Sequence, residues 1–501
     1  MTEKGRIALI FGAVGLVAGG ALFYVFKIHG PNKQRAAAQA EITTWESRLD
    51  AARTCLLGAA PVGDSAQALA VREMTPDPWD RGTCTKLIGK LSRGAAEDTG
   101  MMPVEHAWMS IDRAASKVAT AFLDHVAPKA SDPFERRTKA SPLPAALLEL
   151  DAAHAELRKA AGMEPPRTAT QEALPAVELT ILAHGDQRVQ TLDAWRPPSA
   201  GGITAFGSTG SRQVQLVLAP GVAPKVVPVP NDAVRALPDL SWGAVSLFEE
   251  LTFAPIDESG AFGAMTTLTT GTAGRVLGAV GTFTQGLAVV RTPGGFVVAS
   301  SRGGPFTAGP ATPASSVASA NDLDGRLFVA WDGTGDDTGK LEAILTKGDA
   351  LPVPVEIGSG IATDACLTLG GGWVGSSGQV ISFDGTAARS HLLPSFHLVG
   401  CGKTAALLAS SDSHQYAVCT DTCRMVNLPN LTGRNIATLV GDKVHAIRER
   451  NGVIGVWREN APTAYFAAKQ GLTPILATSD GKVIDVLATT DDGVALVRLP
   501  L

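Results

Sequence analysis

The residues most able to do covalent chemistry are six cysteines in three neighbouring sets: Cys55 with Cys84, Cys366 with Cys401, and Cys419 with Cys423. An even count with local pairing suits disulfides formed in an oxidising compartment. Cys419-Thr-Asp-Thr-Cys423 lies between two apolar runs, which lets its cysteines face each other across a tight hairpin. Free buried thiols are one alternative. A zinc site drawn from Cys366, Cys401, Cys419 and Cys423 is another, although structural zinc usually takes close C-x-x-C pairs and the chain has none.

Other spacings invite a chemical reading and fail it. Gly400-Cys-Gly-Lys-Thr404 resembles a phosphate loop, but the motif needs a glycine at 397, where His397 stands, and a helix afterwards, where Ala405-Ala-Leu-Leu-Ala-Ser410 reads as a strand. It is expected to be a turn. The acidic stretches Asn321–Gly325 and Asp332–Asp337 lack the alternating oxygen ligands and downstream glutamate of a calcium loop. No G-x-S-x-G elbow or H-E-x-x-H pair occurs. His106, His125, His154, His184, His391, His397, His414 and His445 share no ligand or relay spacing. No catalytic residue, cofactor or metal ligand is therefore assigned.

The longest uncharged stretch is Ile7–Phe26, IALIFGAVGLVAGGALFYVF. Twenty helical residues span roughly 30 Å, the thickness of a bilayer core. The run passes into Phe-Tyr-Val-Phe-Lys27 with no small-residue cleavage site, so it reads as an uncleaved anchor and not a signal peptide. Gly15 and Gly19 form a G-x-x-x-G pair, a spacing that can let two such helices approach. Lys4 and Arg6 before the span nearly balance Lys27, Lys33 and Arg35 after it. The charge rule is thus undecided. The cysteines break the tie: residues 1–6 are expected in the cytoplasm and the bulk in the periplasm, at the inner (plasma) membrane of a bacterial cell.

Beyond the anchor, residues 31–161 carry helical periodicity. Ile42, Trp45, Leu49, Ala52 and Leu56 define one face; Cys84, Leu87 and Leu91 a second; Trp108, Ile111, Ala115, Val118, Phe122 and Val126 a third; Leu147, Leu150 and Leu157 a fourth. Four helices forming a small bundle or stalk are expected, stapled by Cys55–Cys84. Residues 162–175, GMEPPRTATQEALP, read as a linker.

From 176 to 501 the pattern becomes short apolar runs punctuated by Gly, Asp, Pro and Ser, the signature of strands and tight turns. Like segments recur at 202, 242, 283, 318, 362, 397, 436 and 474. A four-stranded antiparallel unit repeating near 40 residues resembles a β-propeller blade. Such a sheet cannot bury both faces alone, so blades stack around an axis. The fold expected is mainly β: a seven-bladed propeller, with eight blades the alternative, after a transmembrane helix and a small helical domain. The last unit, 474–501, is too short for four strands, and the run Val177–Trp195 is expected to complete it. Trp195, Trp242, Trp331, Trp373 and Trp457 recur near blade spacing and are expected to fill space between blades, or else to form a binding platform at the channel mouth.

A formal charge of −5 and the absence of a Lys/Arg cluster exclude a nucleic-acid partner. The expectation is a membrane-tethered propeller that presents a rigid face to a protein partner. The alternative is a propeller enzyme, or a glycan- or small-ligand-binding protein, using the central funnel.

Overall fold

The computed structural model describes residues 30–501 except for short connecting stretches, the longest being 127–141; between 229 and 315 it is chiefly the backbone that is described. The expected span Ile7–Phe26, with Gly15 and Gly19, lies outside the described residues. Among the described residues no helix is long and apolar enough to cross a membrane. The chain divides into two compact units, Met1–Leu174 and Pro175–Leu501.

The first unit holds five described helices: α1 Gly30–Leu57, α2 Ser65–Glu73, α3 Arg81–Gly89, α4 Met102–Val126 and α5 Leu143–Ala160. Their apolar stripes meet in one core around Ile42, Trp45, Leu49, Trp108, Phe122 and Leu150. Helix α2 is one more than the periodicity had shown. Its signal is a capping box, in which the Asp64 carboxylate accepts from the Gln67 amide and the Gln67 side chain accepts from Asp64 N–H. The Trp45 indole donates to Leu91 O at 2.8 Å and the Trp79 indole to Leu56 O at 3.0 Å, tying α1 to the segments that follow α2 and α3. Cys55 and Cys84 are bridged, fixing α1 to α3.

Among the described residues the second unit forms eight four-stranded antiparallel sheets and one two-stranded hairpin. In chain order the sheets occupy 191–228, 234–269, 275–308, 316–359, 365–392, 396–427, 436–467 and 473–500, the last taking its fourth strand from Glu178–Ile181. Seven units were expected, with eight as the alternative. The difference lies at the chain ends. Only Glu178–Ile181 of the Val177–Trp195 run joins the eighth sheet, while Thr191–Trp195 opens the first. Counting units from 202 had given the whole run to the final unit, whereas its second half opens a sheet of its own.

Each sheet pairs its strands in chain order, except the eighth, whose outer strand is Glu178–Ile181. Inner strands touch their neighbours from the second sheet through to the eighth, and the eighth touches the first. Apolar layers fill the seams: Phe328, Ile381 and Phe383 between the fourth and fifth sheets, Ile447, Phe466 and Val486 between the seventh and eighth, and Val214, Leu216 and Leu496 between the eighth and first. A circular succession of four-stranded sheets, packed face to face and closed by a strand from the other end of the unit, is a β-propeller.

Candidate functional site

The seam between the fifth and sixth sheets is apolar inside, with Trp373, Val380, Leu398 and Leu408 in one cluster, but it also carries four cysteines. In the fifth sheet Cys366 pairs with Trp373, Trp373 with Ser382, and Ser382 with Arg389, so these four side chains lie in one row on one face. In the sixth, Cys401, Ala406, Cys419 and Cys423 form the corresponding row. The rows face each other. Cys366 and Cys401 are bridged across the seam, and Cys419 and Cys423 are bridged across the hairpin of the sixth sheet, with Cα–Cα distances of 5.6 and 4.1 Å. Together with Cys55–Cys84 these account for all six cysteines, paired as the neighbouring sets suggested.

Toward the outer end of both rows the sheets part around an open cleft of about 360 Å³. Thr368, Trp373, Asp384 and Arg389 line it from the fifth sheet, Thr404 and Asp421 from the sixth. It lies at the end of the propeller that carries the turns between first and second and between third and fourth strands. Gly371 and Gly372 are required here. Gly371 has a φ of +146° and backs onto the Phe383 carbonyl, and any side chain at Gly372 would strike the Phe328 ring. The turn is held across the seam by Leu369 N–H donating to Lys403 O at 2.8 Å.

The charged groups of the cleft differ in how they are engaged. The Asp384 carboxylate accepts from Thr386 N–H, the Thr386 hydroxyl and Ala387 N–H, each at 2.8 Å, and these bonds hold its pKa below the usual carboxylate range. Arg389 donates through Nη1 alone, to Asp421 O at 3.0 Å and Asp421 Oδ1 at 3.2 Å. His391, two residues along, stacks on Trp373 with centroids 5.4 Å apart. Burial pushes its pKa down and the Arg389 charge adds to that, against the pull of Asp421. Trp373 itself is only 4 % exposed. Trp331 and Trp457 are likewise buried, so these three tryptophans fill space between strands and sheets.

Arg389 belongs to a set of arginines that reach from one sheet to the next. Arg326 bonds Asp322 in its own sheet and donates to Leu369 O of the fifth at 3.1 Å. Arg424 of the sixth sheet bonds Glu459 and Asp442 O of the seventh. Arg498 of the eighth bonds Asp485 with two nitrogens and donates to Val222 O of the first at 3.2 Å. Sequence reading missed all four, because each cross-sheet partner lies dozens of residues away or around the ring.

The described inner strands, such as Ser316–Asn321, Ala365–Thr368 and Ile436–Val440, carry mainly Ala, Ser, Thr and Val. Beside them, burial raises the Asp364 pKa, opposed by the Thr363 hydroxyl and by His397. Among the described residues no group of three or more His, Cys, Asp or Glu is placed to hold a metal ion. Gly400 and Cys401 end a strand, and Lys403–Thr404 form the bend that follows, with Thr404 in the cleft.

No protein-family model matches the chain, and no curated protein does. Solved structures resemble it at low identity. Apo AztD from Citrobacter koseri is 14 % identical over 58 % of this chain and 89 % of its own, with a TM-score of 0.40. The Dos1 propeller is 10 % identical over 62 % and 95 %, TM-score 0.37. The WD40 β-propeller domain of Doa1 is 9 % identical over 65 % and 96 %, TM-score 0.33. The chain is a β-propeller protein, a class defined here by its own sheet order. These likenesses assign it no function.

Proposed function

We propose that this chain is a membrane-tethered, extracytoplasmic propeller of eight blades that serves as a protein-interaction module. The observation that carries the reading is the seam between the fifth and sixth sheets, where a polar cleft opens beside two disulfides. Interiors pack closely, and a gap between packed faces forfeits contacts. A cross-seam bridge between inner strands keeps the sheets together while leaving the rim open. Three disulfides support an oxidising compartment. The span Ile7–Phe26 supplies a single-pass anchor in the inner (plasma) membrane, with the amino terminus cytoplasmic.

The test is affinity purification of the full chain from detergent-solubilised membranes, with identification of what co-purifies. A stoichiometric partner that survives washing is expected. Recovery of the chain alone across a range of mild detergents would remove the main support for an interaction role.

A further inference from the structure

Building on the interaction reading, we propose that the cleft between the fifth and sixth sheets docks an acidic side chain of an extended partner peptide, with Arg389 as its anchor. Asp421 is then the internal carboxylate that the ligand displaces.

Three observations select this occupant. Among the charged side chains that line the cleft, Arg389 is the cation with capacity to spare. Only its Nη1 is used, so Nε and Nη2 have no protein partner among the described residues. A guanidinium with two free nitrogens can take a carboxylate bidentately. Next, the pair it makes is easily exchanged. The Arg389 and Asp421 side chains are 58 % and 95 % exposed, and such pairs are weak and screened by salt. Asp384 makes no bond to Arg389; its Oδ1 accepts three bonds from its own turn. Finally, the wall bears the hydroxyls of Thr404 and Thr420 beside the Gly370–Gly372 turn, which suits polar contact with an extended main chain. The aromatic floor is closed: Trp373 is buried with His391 stacked on it, leaving no open ring face for a sugar.

The experiment uses the solubilised full chain on an array of immobilised hexapeptides of Gly, Ser and Thr. A central position is Glu, Gln or Lys, and chito-oligosaccharides are spotted alongside. Retention on Glu peptides alone is expected, weakening as salt rises. Arg389→Gln should lower it at least tenfold. Asp421→Asn removes the internal competitor and should raise it about two- to fivefold, the size of an exposed ion pair. Both positions are exposed, and an unchanged melting temperature verifies that each variant folds.

Retention on Lys peptides that is lost in Asp421→Asn would overturn the proposal in favour of a cation site. Sugar binding indifferent to both variants would overturn it in favour of a glycan site, and no binding to any probe would also reject it. If Arg389→Gln captures the same membrane partner as the unaltered chain, the cleft assignment fails while the interaction role stands. If neither captures a partner, the interaction role itself fails.

Discussion

At the scale of single residues, this propeller is held by charges placed where sheets meet. Asp485 is among the most buried of them. Its side chain is fully enclosed, it takes Arg498 Nε at 2.8 Å and Nη2 at 3.2 Å, and it accepts Gly221 N–H of the first sheet at 3.1 Å. Asp485→Asn keeps the volume but leaves Arg498 without its counter-charge. Because Arg498 is itself partly exposed, the expected loss is about 3 kcal/mol, at the low end for a broken buried pair. A lower urea midpoint should be accompanied by faster amide exchange at Gly221. Unchanged exchange there would mean the carboxylate does not hold the seam. His445 gives a pH dependence. Burial lowers its pKa, with Arg458 adding to the effect against the Lys443 carbonyl and Glu459. Above about pH 6.5 it is neutral both folded and unfolded and contributes no slope. Below that, the unfolded chain takes up a proton that the folded one resists, so stability falls as pH falls. His445→Gln should therefore lose less stability than the parent between pH 7.0 and 5.5, read from urea midpoints at the two values.

At the scale of elements, legibility followed the range of the interaction. The apolar stripes of α1, α4 and α5 were visible because a helix repeats its buried face within a few residues; Ala38, Ile42, Trp45, Leu49, Ala52 and Leu56 are all buried as that spacing requires. Helix α2 was missed because nine residues are too few for a periodic signal, although Asp64 and Gln67 spelled its cap. The disulfides were legible for the same local reason: each pair sits on adjacent or paired elements. The cleft was not. Its lining comes from four turns of two sheets, and only the three-dimensional register sets Arg389 beside Asp421. Among the elements, the Cys55–Cys84 bridge makes a prediction of its own. It closes a sequence separation of 29 residues between α1 and α3, which the chain-entropy model values at about 3.5 kcal/mol. The double change Cys55→Ser and Cys84→Ser should lower the stability of the helical unit by roughly that amount. The check is helical circular dichroism during urea unfolding. A midpoint unmoved by the double change would mean that the core around Trp45 and Trp108 needs no staple.

At the scale of the whole β unit, one segment decides whether the ring closes. Pro175 O accepts from Ala467 N–H of the seventh sheet at 2.9 Å, and Val177 N–H donates to Ala467 O at 3.0 Å. Glu178–Ile181 then pairs with Ala495–Arg498 of the eighth sheet. Past Leu182, Val189 O accepts from Val494 N–H at 2.8 Å, and Gln190 N–H donates to Ser208 O of the first sheet at 2.8 Å. Fifteen or so residues of chain thus join three consecutive sheets; strand counting showed that the last unit needs a strand from this run, but not the bonds the run makes to the sheets on either side. Its loss would leave the Gly493–Pro500 strand with an unpaired row of N–H and C=O groups, an edge that invites pairing with another chain. Replacing Val177–Leu182 with a Gly/Ser linker of equal length should lower the melting temperature of the β unit and produce concentration-dependent oligomers by light scattering. A synthetic peptide of residues 175–189 added during refolding should restore the monomer, since the missing strand is supplied in trans. A linker-replaced chain that stayed monomeric with the parent's melting temperature would show that the ring is held by the seams alone, with Asp485 and Arg498 bearing what the strand was thought to bear.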